Sequence, residues 1–206
     1  RQKVVQPIHR EGTSKMSTVS TQPLTAEEFY DWCHRPENRD RCFELERGKV
    51  VEMSRPGERH GVVCHNVNYL LGAYLRQRRK GRVCTNDTGL VLERNPDTVR
   101  GPDVFLYDQS QPYEQLHRKY SEEVPQLAVE VLSPNDNWGK VLRRVAEFLQ
   151  RGVAVVWVID PEKRTATVLL PNQLPQVLEE ADEITGAPAF PDLCFRVAEL
   201  FFVPGP

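Results

Sequence analysis

An α/β fold of the α+β kind, a mixed central β-sheet flanked by helices, is predicted by three observations. Residues 126–160 read strand, helix, strand; CFELERGKVVEM reads as a hairpin; and helical spacing runs from His60 to the basic run RQRRK. The 206 residues, 39% hydrophobic and 27% charged, are enough for one domain with a sizeable core and too apolar for a wholly disordered chain. Residues 1–22 are polar, lack apolar periodicity and contain Met16, so they read as a flexible leader ahead of a single domain over 23–206. No apolar run approaches the roughly 20 residues of a membrane-spanning helix, and no charged-then-apolar segment opens the chain. A cytoplasmic protein without a membrane partner is expected. The formal charge of −2 excludes a uniformly positive surface, so any nucleic-acid contact must be local.

Thr25 with Glu28 forms a capping-box pattern opening TAEEFYDWCHR, a helix that should stop before Pro36. In the hairpin, Phe43 and Leu45 take one face and Glu44 and Glu46 the other, with Arg47-Gly48 at the turn. Val63, Val67, Leu70, Leu71, Tyr74 and Leu75 then repeat at three and four residues, and His60 falls on the face of Cys64, Val67 and Leu71. Residues 82–93 read as a strand or a pair, and PDVFLY as a short strand with its proline at the tolerated first position. QLAVEVLS is almost wholly apolar and β-branched, as befits a central strand covered on both faces. Pro134-Asn135-Asp136 breaks it. WGKVLRRVAEFLQRG is a helix with Val141, Leu142, Val145, Phe148 and Leu149 inward, and VAVVWVIDP is the second buried strand. TATVLL, PQVLEEADEI and FRVAELF read as edge strands and a closing segment.

Five cysteines, an odd number without a CxxC pair, fit reduced thiols better than a disulfide framework. Cys33, His34, Cys42, His60, Cys64 and His65 lie close in sequence and offer a zinc reading, but without the close ligand pairs typical of structural zinc.

Glu130 is the most informative residue. It shares a strand face with Ala128 and Leu132 in an otherwise apolar sheet centre, where a bare charge costs several kcal/mol unless something is paired with it. An arginine salt bridge would satisfy it. So would a divalent cation, since Asp103 enters the sheet on a neighbouring strand and two hard oxygen ligands can share one ion. Lys140 follows in the first turn of the next helix and Arg144 one turn later; a lysine there could hold a water or neutralise a phosphate, or merely pair with Asp136.

The runs FELERGKVVEMSRPGERHGVVCHNVNYLLGAYL, GPDVFLYD and LAVEVLSPNDNWGKVLRRVAEFLQRGVAVVWVIDP resemble, in order and spacing, the Uma-two family of putative restriction endonucleases within the PD-(D/E)XK nuclease superfamily, over roughly residues 24–202. The resemblance implies a restriction-endonuclease-like fold and a Mg²⁺- or Mn²⁺-dependent endonuclease acting on DNA. Asp103 and Glu130 would be the metal-binding pair, and Glu44 and His60 would line the same site, Glu44 as a further metal ligand. The superfamily's lysine normally stands two residues after the acid, where this chain has Leu132; a lysine from the following helix, matching Lys140, is implied to replace it. Taken alone, Glu44 is equally a solvent-facing hairpin residue and His60 equally a satisfied core histidine.

Arg76, Arg78, Arg79, Lys80 and Arg82 form the densest cationic group, so Arg76, Arg79 and Lys80, with Arg144, are candidate phosphate contacts. Cleaving both strands of a duplex favours a homodimer. The competing class is a non-catalytic nucleic-acid- or partner-binding module on the same fold with a degenerate site. No Walker loop, paired-glycine dinucleotide motif or GxSxG elbow occurs.

Overall fold

The computed structural model describes residues 23–134 and 136–205, so the expected leader lies outside the described residues. Helix α1 (Ala26–Cys33) opens with the reciprocal capping box of Thr25 and Glu28. Strands β1 (Cys42–Glu46) and β2 (Lys49–Met53) form the expected hairpin. Its turn residues Arg47 and Gly48 both have positive φ, 49° and 75°, as a two-residue connection matched to strand twist requires. Helix α2 (Glu58–Arg78) places Val63, Val67, Leu71 and Leu75 in the core, with Leu70 and Tyr74 partly buried beside them.

Residues 82–93 form two strands, β3 (Arg82–Thr85) and β4 (Leu90–Glu93), which join different sheets. A short strand absent from the sequence expectation, β5 (Thr98–Arg100), pairs with both β1 and β4. Then come β6 (Val104–Tyr107), β7 (Leu127–Val131), helix α3 (Trp138–Arg151) and β8 (Val155–Asp160). β7 pairs parallel with β8 and antiparallel with β6, so the apolar run QLAVEVLS is an interior strand. β9 (Thr165–Leu169) and β10 (Gln176–Leu178) complete a six-stranded mixed sheet, ordered β10-β9-β8-β7-β6-β3. β9 is therefore interior rather than an edge. β11 (Glu183–Gly186) and β12 (Phe190–Arg196) make a separate two-stranded ribbon that leads into a 3₁₀ turn.

The two faces of β7 separate the core as the alternation predicts. Leu127, Val129 and Val131 pack with α2, while Ala128 packs under α3 with Val141, Val145 and Phe148. Leu142, expected inward on α3, is instead exposed, because the three buried positions already fill the face that meets the sheet. The second sheet, β2-β1-β5-β4, packs Leu45, Val91 and Val99 against Phe29 of α1. It also carries Glu44 and Arg100 toward α3.

Gly152 ends α3 at φ 107°, and its amide donates to Leu149 O, so the chain turns at once into β8. A Cβ there would make only ordinary contact with Val124, at 3.7 Å, so the cost of a side chain is conformational. Gly152→Ala should lower unfolding free energy in urea by about 1–2 kcal/mol, the penalty of a left-handed L-residue.

Candidate active site

The site grows from the register of β6 and β7. Val104 pairs with Val129 and Phe105 with Ala128, so one step back brings Asp103 alongside Glu130 at the strand ends. The Val131 amide donates to Asp103 Oδ2 at 2.7 Å and ties that carboxylate to the neighbouring strand. From the opposite layer, the first turn of α2 brings His60 Nε2 to 3.1 Å from Asp103 Oδ1. Cys64, one turn further, lies with Sγ 3.4 Å from His60 Nδ1.

Behind the acids runs a buried chain of charges. Arg144 of α3 donates through Nη1 to both oxygens of Glu44, at 2.8 and 2.7 Å, and through Nη2 to Glu130 Oε1 at 3.1 Å. Glu44 also accepts from Arg100 Nη1 and from the Gly101 amide, and Arg100 in turn grips Glu147 through two nitrogens. Losing Arg144 would leave Glu130 without its cationic partner and Glu44 with Arg100 alone, and an unpaired buried charge typically costs about 3–5 kcal/mol. The cluster opens into a cleft of about 970 Å³ whose walls include Glu44, Asp87, Asp103, Glu130, Lys140 and Arg144.

Glu44, Glu46, Glu130 and Glu147 thus meet the two guanidiniums of Arg100 and Arg144, with Asp87 and Asp103 beside them in the cleft. Burial pushes the Glu130 carboxyl up to about 8; Arg144 opposes the shift, and Asp103 and Glu44 add to it. Burial likewise raises Asp87, with Asp103 and Glu44 adding to the effect although its surface lies open to the cleft. Burial alone would lower His60, but its contact with Asp103 outweighs that and raises it. Burial first, then Asp103, Asp87 and Glu130, drives the Cys64 thiol far above its ordinary value.

The donors suit a hard dication. Asp103 and Glu130 present oxygen ligands, and among the described residues no protein donor reaches Glu130 Oε2. Both oxygens of Glu44 are engaged by Arg144, Arg100 and the Gly101 amide, and both of Asp103 by the Val131 amide and His60, so a cation at Asp103 competes with His60.

The other sequence candidates separate. Lys140 is exposed in the first turn of α3 and lines the cleft, while Asp136, its proposed partner, accepts from the Ser133 amide instead. Arg144, a candidate phosphate contact, is held inside the acidic cluster. Arg76, Arg79 and Lys80 lie at the far end of α2, and Arg76 is sixteen residues from His60, about 24 Å along the axis. Lys80 and Arg78 both pair with Asp108 there. Of the six residues grouped for zinc, His60 and Cys64 meet, whereas His34 bonds Tyr30 O and His65 faces outward.

Two site residues escaped the sequence reading. Arg100 sits on the short β5. Asp87 lies in a turn where Asn86 and Asp87 both have positive φ, 64° and 53°, a conformation Asn and Asp tolerate best. Gly101 permits that turn, because a Cβ there would lie 2.6 Å from Asp87 O. The turn residues of NDTG and the glycine of GPD were the available signals.

A family model described as "Uma2: Putative restriction endonuclease" matches residues 26–198. The chain belongs to this family. A solved structure from Anabaena variabilis, described as a putative nuclease belonging to DUF820, superposes with a TM-score of 0.72 at 22% identity, covering 87% of this chain and 98% of that one. The fold is accordingly restriction-endonuclease-like, as the Uma2 resemblance implied. No curated protein matches the chain. Among the described residues, no helix is long and apolar enough to cross a membrane.

The Glu130 shift has a measurable sign. A carboxyl whose folded pKa lies above its unfolded value weakens the fold as pH rises from the ordinary carboxylate range, and the penalty is complete above the raised value. Glu130→Gln should therefore raise the melting temperature of the metal-free protein by several degrees at pH 9, with the gain gone by pH 4, as read by calorimetry.

Proposed function

We propose that this Uma2 protein is a divalent-cation-dependent endonuclease that hydrolyses phosphodiester bonds of DNA, with Asp103 and Glu130 as the ligands of Mg²⁺ or Mn²⁺. The observation that carries this reading is the convergence of two carboxylates from adjacent strands in a cleft that holds more acids than cations. When bound, the ion supplies charge neutralisation at a phosphoryl oxygen and a more acidic water.

The chain's own residues do the rest. The Val131 amide and His60 fix the orientation of Asp103, and Arg144 fixes that of Glu130. Arg144 keeps its charge at all accessible pH: burial opposes it, but Glu130 and Glu44 overcome that and raise its pKa. Both its Nη atoms are committed to the acids it balances, although it lines the cleft. Lys140 has no side-chain partner among the described residues and stands on the cleft wall, placed to bind a phosphate oxygen and stabilise the charge that develops during attack. It thereby takes the role of the lysine missing at Leu132. Leu132 itself packs among the apolar residues beneath α3. Arg55 also lines the cleft and supplies local positive charge for the nucleic-acid backbone, whereas Arg41 and Arg143, on the same cleft, are paired with Glu52 and Glu46. Cutting both strands takes two such sites, so a two-fold homodimer belongs to the same reading.

Purified protein should cleave DNA in Mg²⁺ or Mn²⁺ and lose that activity in chelator. Asp103→Asn and Glu130→Gln should each abolish cleavage while leaving DNA binding in place. Lys140→Ala should lower turnover by about 10²–10³-fold, the usual cost of one transition-state donor. Tight DNA binding without cleavage in either metal, unaffected by Asp103→Asn, would instead establish the binding-module reading that Leu132 favours.

A further inference from the structure

We propose that His60, Cys64 and Asp103 form a binding site for zinc, and that filling it switches the cleft off. The switching half rests on the nuclease reading above; the binding half does not.

One ligand atom from each of the three residues lies within 4.8 Å of the others. His60 and Cys64 stand four apart on α2 and so share a helical face, and Asp103 meets them from the sheet. The 3.4 Å between Cys64 Sγ and His60 Nδ1 is close to the edge, about 3.5 Å, of a tetrahedron drawn with zinc's usual bonds to sulfur and nitrogen, and Asp103, which pairs with the other ring nitrogen, would exchange that contact for the ion. Sulfur and imidazole favour a borderline-soft ion, whereas Mg²⁺ takes oxygen. Three protein ligands leave a fourth position for water, toward the cleft that all three residues line. The surplus of carboxylates also welcomes a dication. Asp103 belongs to both donor sets, so zinc withdraws it from the pair it forms with Glu130. The two ions compete.

The same atoms also line up as thiol, imidazole and carboxylate, the order of a nucleophile with its base and orienting acid. The surroundings oppose that use. Cys64 lines the same cleft as the carboxylates of Asp103, Asp87 and Glu130, and neighbouring negative charge disfavours a free thiolate and favours one neutralised by a cation.

The test titrates Co²⁺ into the metal-free full chain and follows absorption. The expected result is a stoichiometric thiolate-to-metal charge-transfer band with tetrahedral visible bands, both bleached by Zn²⁺. The charge-transfer band should be lost in Cys64→Ser and in Cys64→Ala, each checked for native circular dichroism. No such band, or a band that survives both variants, overturns the site. Rapid alkylation of Cys64 by iodoacetamide at neutral pH, undiminished by Zn²⁺, overturns it in favour of the nucleophile.

In the second arm, Zn²⁺ should inhibit Mg²⁺-supported DNA cleavage. With each protein read against its own Mg²⁺-supported rate, Cys64→Ser should raise the inhibitory zinc concentration by at least about tenfold, the lower end of what even outer-shell losses cost a metal site. Equal zinc sensitivity of wild type and variant overturns the switch. A chain that cleaves nothing in Mg²⁺ or Mn²⁺ overturns the nuclease reading and the switch together, and the cobalt spectrum still decides the site.

Discussion

The organisation of this molecule turns on one buried guanidinium. Arg144 joins Glu44 of the small sheet to Glu130 of the large one, and it projects from the helix that links β7 to β8. The consecutive β7 and α3 are thereby held at one point to a strand from near the start of the fold. Charges taken out of water are tolerated only when their partners are well placed, so the register of β1, the end of β7 and the first turns of α3 constrain one another. Arg100, the more deeply buried of the two, repeats the device between Glu44 and Glu147.

That arrangement explains how a sheet interior can carry a carboxylate aimed at a cleft. The apolar faces of β7 and β8 supply the stability, with Trp157, Val129 and Ile159 fully buried on one side and Phe148 and Val156 on the other. Glu130 spends part of it. Its salt bridge to Arg144, a cation it shares with Glu44, offsets that burial only in part, and imbalance of this kind gathers where a ligand is meant to relieve it. The surplus of negative charge around Asp103 points the same way.

The two layers around the sheet also set which chemistry each side of the cleft offers. The α3 side presents hard oxygen, a fixed guanidinium and the exposed Lys140. The α2 side presents nitrogen and sulfur. Asp103 stands between them, with Oδ1 on His60 of the α2 layer and Oδ2 tied within the sheet to the Val131 amide, next to Glu130. A single residue thus couples two donor sets of different softness.

What the sequence determined by itself was local and periodic. The capping box of α1, the Arg47-Gly48 turn, the α2 stripe and the strand-helix-strand run 126–160 are each written in adjacent residues, because propensity, turn chemistry and burial periodicity act over a few positions. The alternation of β7 likewise showed that Glu130 faces away from Val129 and Val131. Motif order carried the Uma2 family. Only the tertiary structure decided that Glu44 is buried rather than solvent-facing, that Arg144 is its partner rather than a surface cation, and that Asp87 and Cys64 belong beside Asp103. It also decided that β3 and β4 part into different sheets. Those outcomes depend on which strands pair and on which charges share a low-dielectric space, and neither is encoded in the spacing of neighbours along the chain.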